Sequence, residues 1–205
     1  MNLFLLSEDT KKCAEEHCDK HIVKMPVELT QMLYTAHHMN DKFNGAVRLY
    51  YNAPNNGWKR SFINHPTAIW VRSGIWAYTW TCLLATALCK EYTYRYDREH
   101  GCQKHVEWLR KNLPTKWPRG GPDYSVCTTP PTIVQTPFKN FPLCMPKQYK
   151  GDDAIESYRQ YYIGDKEPFA KWRRRPAPEW WPWGLKFIEK MRNIIPEPPD
   201  LLRNL

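Results

Sequence analysis

HCDKHIVKMPVELTQMLYTAHH, residues 17–38, repeats its polar and apolar side chains with the period of a helix. His17, Lys20, His21, Lys24, Glu28, Gln31, Thr35 and His38 recur every three or four positions and so share one line of that helix. Ile22, Met25, Leu29, Met32 and Leu33 fall opposite and supply a face for a core. A polar helix face is ordinarily just solvated surface. This one carries three imidazoles, and Lys24 one turn before Glu28, a composition suited to proton transfer or to gripping a phosphorylated ligand.

Working outward, Ser7, Glu8, Asp9 and Thr10 offer caps for a helix beginning near residue 10 and running to about Met39, with a kink expected beside Pro26. Residues 40–64 turn to Asn, Gly, Pro and aromatics and read as a loop. Asn64-His65-Pro66 opens a second long helix, apolar nearly all round through Leu88 and therefore central, continuing one or two turns to Tyr96. A third helix is expected over 103–113, stopped by Pro114. Residues 115–150 are proline-dense and aperiodic, a long irregular loop of the kind that lines a site or wraps a core. Gly151-Asp152-Asp153 caps a fourth helix through Tyr162, 186–195 suggests a last one, and 176–205 is expected to wrap the rest. The fold class is all-α: a single compact helical domain over 1–205, with a kinked N-terminal helix, a buried central helix and one long loop.

The chain carries 30 Lys and Arg against 21 Asp and Glu, a formal charge of +9, together with ten Trp and twelve Tyr. Excess cations interleaved with flat aromatic rings suit DNA or a nucleotide as partner. Seven Cys, at 13, 18, 82, 89, 102, 127 and 144, form no CxxC pair and read as reduced thiols, in keeping with a cytoplasmic location. The apolar run from Met1 to Leu6 is too short for a signal peptide, and the uncharged stretch between Arg72 and Lys90 falls short of the roughly 20 residues that span a bilayer. No membrane association, no cofactor and no obligate protein partner is expected.

His17 and His21, one turn apart with Cys18 and Asp19 beside them, have the geometry of a metal pair, but no third and fourth ligand follows at a recognisable spacing, so no metal is expected. Glu28 is the better use of the same line, as a general base or electrostatic partner flanked by Lys24, His17 and His21. Its bland alternative is an exposed Glu–Lys pair. Arg72 is the one charge in the central helix and needs a partner: Glu28, Glu91 or an anion. Lys20, His65, Glu91, Tyr92 and Arg95, then Tyr158, Arg159 and Tyr162, then Trp172, Arg173 and Arg174, are the expected substrate contacts, cations to neutralise phosphates and rings to stack bases. The Arg173–Arg175 run is equally readable as a solvated turn before Pro176.

Three features give the first 90 or so residues a resemblance to the phage pyrimidine dimer DNA glycosylases. They are the opening Asn2-Leu3-Phe4-Leu5-Leu6-Ser7-Glu8, His17 with Pro26 nine residues later, and His65 at the start of the central helix. The resemblance implies a helical fold with extended termini and an enzyme that recognises cross-linked thymines in duplex DNA. Its N-terminal α-amine would attack the sugar C1′ and form an imine, with a helix-borne Glu assisting and basic residues holding phosphates. Two departures stand out. The family exposes the amine of a small residue by removing Met, whereas Asn2 is large and Met1 is expected to remain; and Lys24 occupies the position of the family's catalytic Glu, leaving Glu28 one turn on. Met1 or Lys24 is then the candidate amine. The competing reading is a nucleotide-binding or nucleotide-processing protein in which His17, Lys20, His21, Lys24, Arg72 and Arg95 surround phosphates, and a third is a non-catalytic DNA or nucleotide binder.

Overall fold

A computed structural model describes residues 2–41, 52–118, 138 and 140–182. Among them the chain is all-α: α1 (Thr10–Glu16), α2 (Asp19–Asn40), α3 (Pro66–Val71), α4 (Ile75–Tyr96), α5 (Gln103–Lys111) and α6 (Ala154–Lys166), with 3-10 turns at Pro54–Asn56 and Lys147–Tyr149 and no strand. α4 is central and packs against α1, α2, α3 and α5. Its apolar composition is not all buried, since Leu83 is 38% exposed. The N-terminal arm runs extended into the core, with Leu3, Phe4, Leu5 and Leu6 buried, and the same cluster reaches through Phe138 and Phe141 to Tyr158, Tyr162 and Trp181.

The expected helix over 10–39 is instead two helices, and the break lies at His17–Cys18 rather than at Pro26, which sits inside an uninterrupted α2. The carbonyls freed at the break all find donors. Arg95 donates to the oxygens of Glu15 and His17, each at 2.9 Å, and the Trp172 indole donates to that of Glu16 at 3.0 Å. Asp19 N–H then bonds the Lys171 carbonyl at 2.8 Å. A break whose freed carbonyls are satisfied by distant side chains is stable, and no local sequence signal announces it.

The second long helix divides as well, into α3 and α4, at Arg72-Ser73-Gly74. Ser73 turns back on the Trp70 carbonyl through both N–H (3.1 Å) and Oγ (2.7 Å), and glycine at 74 is a poor helix residue. α5 ends at Lys111, short of 113, and α6 runs past Tyr162 to Lys166. Asp153 caps α6 as the sequence indicates, accepting from Glu156 N–H at 3.0 Å. The helix expected over 186–195 lies outside the described residues, as do most of 115–150 and the end of 176–205. No helix of the described residues is long and apolar enough to cross a membrane.

Candidate active site

The polar line of α2 does not face water as a whole. His17 and His21 are buried under the N-terminal arm, where Phe4 stacks on the His21 ring with centroids 4.5 Å apart. His17 Nδ1 donates to the Cys13 carbonyl at 2.6 Å, and Nε2 has no hydrogen-bond partner among the described residues. A proton on Nε2 would be a buried charge without an acceptor, and burial accordingly lowers the His17 pKa to about 4. His21 Nδ1 is bonded to the Tyr162 hydroxyl, and burial, then the neighbouring His17, take its pKa down to about 3. Both imidazoles are neutral parts of the core at pH 7.

Farther along the same helix Glu28 stands at the edge of solvent, its side chain 9% exposed. One carboxylate oxygen accepts from the backbone N–H of Asn2 at 2.6 Å, and the other lies 3.0 Å from Lys24 Nζ, whose side chain is 67% exposed. The arm is fixed there by Asn2 itself. Its amide donates to the Cys144 carbonyl at 3.0 Å, while its Oδ1 accepts from Leu3 N–H at 2.8 Å and from the Tyr158 hydroxyl at 3.3 Å. Tyr158 also accepts from Cys144 N–H, so α6 clamps arm and loop together. His65, at the cap of α3, accepts from Thr67 N–H on Nδ1 at 3.3 Å, which leaves the proton on Nε2 in the neutral ring. Burial lowers its pKa, and the Glu28 carboxylate, close enough to act, pulls it partly back. A carboxylate thus sits between an exposed primary amine, the pinned backbone of Asn2 and an imidazole.

No family model, curated protein or solved structure matches this chain.

A second polar cluster lies around Arg95, fully buried on α4. Its guanidinium bonds Glu91 (2.7 Å), Asp19 (2.9 Å) and the two helix-break carbonyls. Arg175 forks onto Glu91 at 2.7 and 2.8 Å. Burial by itself would raise the Glu91 pKa; the hydrogen bonds from Arg175 and Arg95 outweigh it and leave the pKa lowered. Arg174 pairs with Asp97, Arg173 N–H bonds Asp19, and the Arg173 guanidinium lies 5.6 Å over the Tyr96 ring. Glu91, Arg95 and the arginine run are therefore tied into the fold.

The remaining expected contacts are scattered. Arg72 caps α3 and donates to the Ile63 carbonyl at 2.6 Å, so its recorded partner is neither Glu28 nor Glu91. Tyr92 packs on Tyr96 and His100, and Trp172 is held by Glu16 and Trp181. Arg159 bonds the Leu6 carbonyl at 3.0 Å and lies over Trp180; Lys20 lies over Phe169. Of the expected set, Lys24, Glu28, His65 and Tyr158 come together, and Met1 is outside the described residues. Asn2, Thr67 and Cys144 complete the site; Asn2 alone had a sequence signal, in the opening motif. No group of described His, Cys, Asp and Glu residues could hold a metal ion.

A separate cleft of about 520 Å³ opens between α1 and α4. Ala14, Leu83 and Ala87 are among its apolar lining residues, and Lys11, Lys90, Arg110 and Tyr94 also border it.

Proposed function

We propose that the chain is a DNA-acting enzyme of the pyrimidine dimer glycosylase kind, attacking the glycosidic carbon of a pyrimidine nucleotide through an amine. The observation that carries this is a single carboxylate, Glu28, that touches Lys24 Nζ and accepts the backbone N–H of Asn2, the residue that follows Met1. In the proposed reaction the amine lone pair forms a bond to C1′, the C1′–N1 bond breaks, and the base leaves with the bonding pair and gains a proton. Glu28 takes a proton from the attacking nitrogen and delivers one to the ring oxygen as the sugar opens to the imine. His65, through Nε2, would act as the donor to the sugar or the departing base. Extrusion of the target nucleotide from the duplex would bring C1′ within reach.

Borohydride trapping on ultraviolet-irradiated and untreated duplex DNA tests the reading. A covalent band on the irradiated DNA alone is expected. Glu28→Gln should lower its rate of formation by about 100-fold, the scale of a lost general acid-base group, with duplex binding kept. Loss of the band in Lys24→Arg assigns the amine to Lys24, and its retention assigns the chain terminus. No band, with an active control enzyme, overturns the reading.

The α1–α4 cleft favours a second reading, nucleotide binding. Its volume is that of a small-molecule site, and a phosphate on Lys11, Lys90 and Arg110 with a base toward Tyr94 and Leu83 would use its lining. Calorimetric titration with nucleoside monophosphates, repeated on Lys90→Ala, separates the two; this reading requires binding to the first and loss in the second.

A further inference from the structure

Phe62 is the most exposed large apolar side chain among the described residues, at 59%, and it stands in a left-handed backbone conformation, φ 49°. A bulky side chain adopts that conformation at a cost, and an aromatic ring in water gains nothing in return. The conformation is nonetheless enforced from both sides. Thr35 Oγ1 of α2 holds both the N–H and the carbonyl of Ser61 at 3.0 Å, Arg72 holds the carbonyl of Ile63 at 2.6 Å, and Phe62's own carbonyl accepts from His65 N–H at 2.9 Å.

The segment lies along α2, about two turns beyond Glu28. His38 bonds the Trp58 carbonyl, Thr35 bonds Ser61, and His65 is within electrostatic reach of Glu28. Thr35 is seven residues from Glu28, about 10 Å along a helix. At about 3.4 Å per base step, that is three steps or fewer along a duplex. Lys59 and Arg60, shortly before the ring in the chain, are exposed and able to meet phosphates. A strained, clamped, water-facing ring preceded by two exposed cations, on a segment held to the helix that carries Glu28, is arranged for something that enters when a partner binds.

We propose that Phe62 is a wedge that inserts between base pairs of duplex DNA lying over Glu28, unstacking the step from which the target nucleotide leaves. Apolar side chains inserted at a base step kink DNA in this way and lower the cost of displacing a base. The inference rests on the DNA-glycosylase reading and adds to it the residue that opens the substrate.

The test uses a duplex with one cyclobutane thymine dimer and 2-aminopurine opposite it, whose fluorescence rises when its base unstacks. Wild-type protein is expected to raise the signal several-fold and to trap on the DNA. Phe62→Ala should abolish the rise and slow single-turnover trapping by about tenfold or more, the cost of an unstacking no longer assisted. Phe62→Trp should restore both, and a substrate in which the opposite base is already unpaired should restore the rate of Phe62→Ala. Phe62→Gly, at home at φ 49°, is the folding control: its melting temperature should not fall, while its fluorescence rise should be lost. Wild-type trapping without a fluorescence rise, or Phe62→Ala matching wild type, overturns the wedge alone. Absence of wild-type trapping overturns the glycosylase reading and the wedge with it.

Discussion

Two glutamates show how neighbours decide whether a carboxylate is structure or chemistry. Glu91 is enclosed by Arg95 and Arg175, and the neighbours of Glu28 include an exposed lysine and a backbone N–H. Breaking the first arrangement should be costly, because a buried pair that loses one partner leaves the other uncompensated. Arg95→Met is expected to lower unfolding free energy by roughly 3–5 kcal/mol in urea melts. Arg95→Lys should rescue little of it, since one ammonium cannot reach two acids and two carbonyls in the planes the guanidinium uses; stability near wild type in either variant would refute the structural role. The buried histidines set a second expectation. Burial lowers His17 and His37 to about 4 and His21 to about 3, all below the ordinary 6.5. Below 6.5 the unfolded chain takes up protons that the folded chain refuses, so stability is complete above that pH and is lost as the pH falls toward 4. The slope is roughly 1.4 kcal/mol per imidazole per pH unit. Urea midpoints that stay level from pH 7 to pH 4 would mean the imidazoles titrate in the fold, and would return His17 and His21 to the list of proton carriers.

At the scale of elements, the caps can be tested singly. Asp153 begins α6, the helix whose Tyr158 clamps the arm on Asn2, and Asp153→Ala should cost about 1 kcal/mol of stability while leaving the Glu28 chemistry unchanged. A loss of several kcal/mol would show that the cap does more than satisfy one N–H. What the sequence disclosed at this scale was whatever depends on near neighbours: the helical period of α2, the proline and histidine that start α3, the aspartate before α6. What it concealed depends on distant ones. The break at His17–Cys18 exists because Arg95 and Trp172, far along the chain, take its carbonyls, and nothing near residue 17 says so. Pro26 was the expected fault and is absorbed within an uninterrupted α2. The same distance dependence divided the candidate residues. Glu28 and Lys24, one turn apart, were legible as a pair, whereas the ion pairs of Arg95 and Arg174 required Glu91, Asp19 and Asp97 to be in place.

For the whole molecule, a formal charge of +9 favours polyanions in general but does not say where one would lie. Ion pairing sorts the cations. Arg174 and Arg175 face acids within the fold, and a phosphate would have to displace Asp97 or Glu91 to use them. Lys59 and Arg60 are exposed beside Phe62, on the side of α2 that carries Glu28. If duplex DNA crosses that face, each phosphate contact releases counterions and contributes about 0.9 to the slope of log affinity against log salt. Lys59→Ala and Arg60→Ala should therefore each flatten the slope by about 0.9 and weaken binding alike on every sequence. Arg174→Ala should leave the slope as it was, because removing that cation exposes Asp97 without freeing a phosphate. Fluorescence anisotropy on an undamaged duplex across a salt series reads all three variants. Equal flattening by Arg174→Ala would place DNA at the Arg174–Asp97 pair and count against a duplex confined to the face that carries Lys59, Arg60 and Phe62.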